Sequence, residues 1–144
     1  MNVLLDTAAW INGVKEPETL PARVLALLRN DTNHFFLSDI SLLEASILER
    51  KGKVDLGMKF DEWLGKALAE NLHVLPISAR IAAIENALPR TFHGDPADRV
   101  IASTAIAHQL TLLTPDWRIA FQRVCRTIRY KWPKAVTRRK SARR

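Results

Sequence analysis

With 144 residues, 47% hydrophobic and 26% charged, the chain has the size and composition of one globular domain with a full core. No apolar run approaches the ~18 residues of a membrane span, and the single cysteine, Cys125, excludes an intramolecular disulfide. The net charge of +7 is unevenly placed: residues 1–116 hold 11 Lys/Arg and all 15 Asp/Glu, whereas 117–144 hold 11 Lys/Arg and no acid.

Short apolar runs alternate with longer stretches of helical period, which predicts βα units around a mostly parallel sheet of about five strands. In chain order the pattern predicts a strand at 3–5, helices near 7–12 and 18–30, and a strand at 35–37. Helices near 40–51 and 59–71, a strand at 73–75 and a helix near 79–87 follow. Beyond an aperiodic loop at 88–94 come a helix near 96–109, a strand at 111–113, a helix near 116–122 and a strand at 127–129. Ser41 and Ser78 are candidate N-caps, and Gly52 reads as a helix stop. Past Pro133 the apolar pattern ends, so the expected organisation is a domain of residues 1–133 and a basic, disordered tail of 134–144.

Four acids stand where apolar or neutral residues are expected. Asp6 ends the first apolar run and Asp116 follows the last, at the strand ends where ligand sites of open α/β sheets form. Each also suits the N-cap of the helix that follows. Glu44 lies on the stripe of Ile40, Leu43, Ile47 and Leu48, where an uncompensated carboxylate costs several kcal/mol. Its alternatives are an ion pair with an arginine or an edge open to water. Pro96 suits the first helical position, which makes Asp95 the N-cap and puts Asp98 in the first turn. Asp98 shares a face with Ile101, Ala102 and Ala105, and therefore aims into a pocket. Thr7 and Thr114 are nearby hydroxyls suited to orienting a carboxylate. Converging carboxylates repel one another, and bound Mg²⁺ or Mn²⁺ removes that penalty. The four histidines and one cysteine have no zinc-ligand spacing.

At the basic end, Tyr130 and Trp132 interleave with Arg129, Lys131 and Lys134, close to Arg126. Cations that track phosphates beside rings that stack on unpaired bases suit nucleic acid. The other reading is a solvated tail that aids solubility.

Four stretches carry a resemblance to PIN-domain proteins, in particular VapC-like toxins of type II toxin–antitoxin systems: LLDT at 4–7, LSDISLLE at 37–44, GDPADRVIA at 94–102 and LTLLTPD at 110–116. GKVDL at 52–56 is similar to one subgroup. The resemblance implies a three-layer α/β/α fold, Mg²⁺-dependent RNA cleavage and an acidic site of Asp6, Glu44, Asp98 and Asp116. Asp95 would stand beside that site as an auxiliary or occasional ligand. It further implies a cognate antitoxin over the pocket and a homodimer; the lone cysteine and the lack of an apolar spanning run separately read as a cytoplasmic protein. Leu43 replaces the bulky aromatic that often precedes the helix glutamate, and the tail lies beyond the usual family end. Arg99, next to Asp98, is a candidate contact for phosphoryl oxygens. Trp63, Leu64 and Leu68 are available for a dimer face or for the core. A receiver-type phosphoryl acceptor fits poorly, because Asp6 stands alone and no Lys follows the last apolar run. The alternative that remains is a non-catalytic RNA-binding or scaffold PIN-like protein.

Overall fold

The computed structural model describes residues 1–68, 71–92 and 94–131, so Trp132, Lys134 and the tail of 134–144 lie outside the described residues. Five parallel strands form the sheet: β1 (Asn2–Leu5), β2 (His34–Ser38), β3 (Leu72–Leu75), β4 (Thr111–Thr114) and β5 (Thr127–Arg129), in the order β3-β2-β1-β4-β5. The order reverses between β1 and β4, where Leu5 lies opposite Leu113. That is the switch point at which such sheets open a crevice for ligands.

Unbroken apolar runs are what a parallel sheet covered on both faces requires. Val3 and Leu5 join one core with Trp10, Val24, Leu37 and Trp63, while Leu4 and Leu112 join another with Ile101, Ala102 and Ile119. The first face is covered by α1 (Thr7–Lys15), α2 (Ala22–Arg29) and α4 (Phe60–Ala67). The second carries α6 (Pro96–His108) and α7 (Trp117–Gln122), with α5 (Ala79–Asn86) packed on α6. Between the two sets, α3 (Ile40–Arg50) sends Leu42, Ala45 and Leu48 to the first core and Ile40 to the second. Among the described residues, no helix is long and apolar enough to cross a membrane.

Several expectations change. The helix expected over 18–30 is interrupted at Pro21, whose φ of −57° and ψ of 146° are extended; Pro17–Thr19 form a separate 3₁₀ turn. Ser41 does not cap α3. It lies buried within the first turn, and the Ser38 hydroxyl instead accepts the Ile40 N–H at 3.2 Å. Ser78 does cap α5, accepting from Ile81 N at 3.2 Å. Gly52 ends α3 at φ +72°, and the Gly52 and Lys53 amides close back on the carbonyls of Glu49 and Leu48. Trp63 is 2% exposed, its ring centroid 4.9 Å from that of Trp10, so it belongs to the core and to no dimer face. Tyr130 is 1% exposed and donates to Asn12 Oδ1 at 3.1 Å, which corrects its expected role of stacking on bases.

Candidate active site

The C-terminal ends of β1 and β4 deliver Asp6 and Asp116. Asp6 caps α1, with Oδ1 accepting the Thr7 N–H at 2.8 Å, while Oδ2 accepts the hydroxyl of Thr114 at the end of β4. Thr114 Oγ1 in turn accepts the Asp116 N–H at 2.9 Å. A hydroxyl on the neighbouring strand thus fixes the Asp6 carboxylate and the turn that carries Asp116. Thr7 Oγ1 lies 2.7 Å from Ser41 Oγ, which ties the start of α1 to α3. Both threonines are thus hydrogen-bonded where Asp6 meets α3 and β4.

Glu44 enters from α3, beside a stripe of which Ile40 and Leu48 pack on the cores and Leu43 does not. Leu43 is 55% exposed, and the inward positions are Ser41 and Ala45, beside which Glu44 stands half-buried. Glu44 Oε1 is buried without a hydrogen-bond partner. Among the described residues no arginine forms an ion pair with it, so the ion-paired explanation finds no support there. Burial raises the Glu44 pKa against the hydrogen bond from Thr7, and the charge of Asp95 adds to the rise.

From α6, Asp95 acts as N-cap, its Oδ1 accepting the Asp98 N–H at 3.2 Å. Asp98 is buried on the face of Ile101, Ala102 and Ala105, as its spacing requires. Burial first, then the charges of Asp6, Asp95, Asp116 and Glu44, push its pKa up to about 8. Burial likewise raises Asp6 to about 6, against its bonds to Thr114 and Thr7 and with the help of Glu44 and Asp116. The acids drawn from four separate segments of sequence thus share one electrostatic environment. In the arrangement observed, no three Asp, Glu, His or Cys side chains among the described residues form a metal-binding group.

Two arginines lie where the sequence did not lead one to expect. Arg99 turns away from the acids: Nε donates to Glu85 Oε2 at 2.6 Å, Nη2 donates to the Glu85 carbonyl at 3.1 Å, and the guanidinium lies over the Phe92 ring. It braces α6 against α5 and the following loop, and is not placed for phosphoryl oxygens. Arg118, which drew no attention in the sequence, sits at the site instead. Its Nη2 lies 3.0 Å from Asp116 Oδ2 and 3.9 Å from Asp98 Oδ2, while Nε donates to Asp116 Oδ1 at 3.2 Å. Its place two residues after a strand-end aspartate was the available signal. Among the expected RNA contacts, Arg126, Arg129 and Lys131 are exposed.

The PIN-domain family model matches residues 3–127. The ribonuclease VapC22 of Mycobacterium tuberculosis is 34% identical over 84% of this chain and 92% of its own length. Similar solved structures include VapBC2 from Rickettsia felis bound to a promoter DNA fragment, at 20% identity and TM-score 0.69 over 91% of this chain and 100% of that one. FitAcB from Neisseria gonorrhoeae is 26% identical, with TM-score 0.61 over 88% of this chain and 96% of that one. With its parallel sheet, its helices on both faces and its acids gathered at the switch point, this chain belongs to the PIN-domain family, among the VapC-like members.

Proposed function

We propose that this endoribonuclease is the toxin of a type II toxin–antitoxin pair and cleaves RNA phosphodiesters with Mg²⁺ or Mn²⁺ at Asp6, Glu44, Asp98 and Asp116. The ribonuclease class follows from the VapC-like membership, and PIN-domain ribonucleases are generally dependent on a divalent metal. The observation that carries the metal assignment is the raised pKa of Asp98, about 8, with four other acids among its causes. A divalent cation offsets that repulsion. The donor set fits a hard ion: all oxygen, with Glu44 Oε1 buried and unpartnered. Mg²⁺ commonly binds through one or two carboxylates and keeps several waters, so a preformed trio is not required.

Asp6 and Asp98 are the principal ligands in this reading, with Asp116 and Glu44 completing the shell directly or through water. The ion, when bound, supplies Lewis-acid polarisation of the scissile phosphate and makes the attacking water more acidic. Thr7 and Thr114 hold Asp6 in one orientation, and Asp95 fixes the first turn of α6 under Asp98. Glu44, its pKa raised by burial, is suited to take the proton of the attacking water. Arg118 balances the negative charge of Asp116 and Asp98.

The similar VapBC structure supports an antitoxin partner; in the proposal that partner covers the acidic mouth, and a homodimer's two copies extend the RNA groove. The nuclease domain comprises residues 1–133, in the cytoplasm, with 134–144 as a basic tail. The test is cleavage of structured RNA by the wild type and by Asp98→Asn, each with Mg²⁺ and with EDTA. The substitution and the chelator should each reduce cleavage by on the order of 100-fold or more. Cleavage that survives both would overturn the metal assignment. A wild type that binds RNA and leaves it intact would support the non-catalytic RNA-binding or scaffold reading.

A further inference from the structure

Helix α7 solves its packing with one residue and leaves two aromatic rings in solvent. Ile119 is fully buried in the second core, whereas Trp117 and Phe121 are 59% and 73% exposed. The rings stand four residues apart on one helical face, edge to face, with centroids 6.3 Å apart. They are not displaced core residues, because the inward face of α7 is already filled. Their position matters: Trp117 directly follows Asp116, which caps α7 and faces Arg118 at the acidic site.

The surroundings of the pair decide what it meets. Besides the two rings, the exposed positions from Trp117 to Arg123 are Arg118 and Arg123. Arg123 ends the helix in the left-handed conformation at φ 54°. From Trp117 onward the sequence contains no acid. A face built to dock an apolar protein surface would carry aliphatic side chains beside its rings, whereas the other exposed residues of this helix are arginines: Arg118, whose guanidinium turns to Asp116 and Asp98, and Arg123 at its end. Exposed π faces followed by an exposed cation suit unpaired bases joined by phosphates.

We propose that Trp117 and Phe121 form a stacking platform for unpaired bases of the RNA substrate, with Arg123 engaging a flanking phosphate. The platform rests on the ribonuclease reading and deepens it. It predicts that the ring pair engages unpaired bases, which can be splayed onto side chains, and not a continuous duplex.

The test uses the full chain carrying Asp98→Asn, so that RNA is bound without being consumed. Affinity is measured by fluorescence anisotropy across a salt series, for an unstructured RNA of about 12 nucleotides and for a duplex of the same length. Trp117→Leu with Phe121→Leu should weaken single-strand binding by on the order of tenfold or more and leave the duplex unchanged. The salt slope should stay as it was, because the rings carry no charge. Trp117→Tyr with Phe121→Tyr should restore most of the affinity, since tyrosine keeps the π face that leucine lacks. Melting temperatures of both pairs confirm folding. The platform is wrong if the leucine pair binds the single strand as tightly as its parent, or loses both RNAs equally. It is also wrong if the leucine pair changes oligomeric state in light scattering, which would assign the rings to a second copy of the chain. Cleavage by the otherwise wild-type chain, assayed in parallel, separates the two readings. Loss of single-strand binding in the leucine pair without wild-type cleavage keeps the platform and removes the ribonuclease. Cleavage with unaffected binding does the reverse.

Discussion

Asp98 occupies the first turn of a helix, where the macrodipole favours a carboxylate by about 0.3–1 kcal/mol. Its pKa nevertheless stands at about 8, because burial and four neighbouring acids outweigh that field. The consequence for stability has a definite sign. Between the ordinary value of 3.8 and about 8, the folded chain holds a proton that the unfolded chain releases. The contribution is therefore full below pH 3.8 and is lost as pH rises through about 8; Asp6 does the same over the lower window ending at about 6. The melting temperature of the metal-free chain should fall across this range, and Asp98→Asn should flatten the upper part of the fall. Since only ionised carboxylates ligate, Mn²⁺ should raise the melting temperature more near pH 8 than near pH 6, the values about which Asp98 and Asp6 titrate. Equal metal stabilisation at both pH values in differential scanning fluorimetry would refute the linkage. Asp6 and Asp98 were legible in sequence because each breaks a pattern, one ending an apolar run and the other polar on an apolar face. Arg99 was misread, because its partner Glu85 lies on another helix and no spacing announces it.

Helix α6 is the element whose start the sequence specified most completely. Pro96 sets the first turn, and Asp95 accepts the Asp98 amide as cap. Asp95→Ala should cost about 1 kcal/mol in a urea titration, the usual worth of a cap. A purely structural cap would do no more than that. Asp95 is also among the causes of the high Asp98 pKa, so its removal should move the rise of metal affinity with pH to lower pH. Isothermal titration with Mn²⁺ across pH measures this, and an unmoved profile would confine Asp95 to capping. Elsewhere periodicity misled for physical reasons. Leu20, Val24, Leu27 and Leu28 repeat at helical spacing through Pro21, which has no N–H to donate and here stands outside the helix as its N-cap. Leu43 counted towards the apolar stripe but stands in solvent, whereas Ile40 and Leu48 of that stripe do pack on the cores, so the burial near Glu44 was inferred correctly from only part of its stripe. Tyr130 was assigned to RNA by its basic flanks, although Ile128 and Tyr130 alternate as core residues of an edge strand do.

At the scale of the whole molecule, an acidic site meets a polyanionic substrate, and local electrostatics alone would repel it. The charge distribution supplies the answer. Residues 1–116 carry a net −4 and residues 117–144 a net +11. That asymmetry was legible, but where the basic end returns to the fold was not, because it depends on strand order. β5 pairs with β4 at the sheet edge, in a register that sets Arg129 opposite Thr114, the residue that holds Asp6. The exposed Arg129 and Lys131 therefore enter the molecule at the sheet edge that carries the acids, while Arg126 stands at the start of the same strand. Each cation that meets a phosphate should contribute about 0.7 to the slope of log affinity against log salt on single-stranded RNA. Changing all three to Gln should flatten the slope by about 2 and weaken binding mainly at low salt. Deleting residues 134–144 should flatten it further if Lys134 and the tail also track the backbone. The substitutions leave the acids in place, so cleavage at saturating RNA should persist while the concentration needed to reach it rises. A slope that survives both changes would mean that RNA is held by the acidic mouth and its ion alone, and that the basic end serves another purpose.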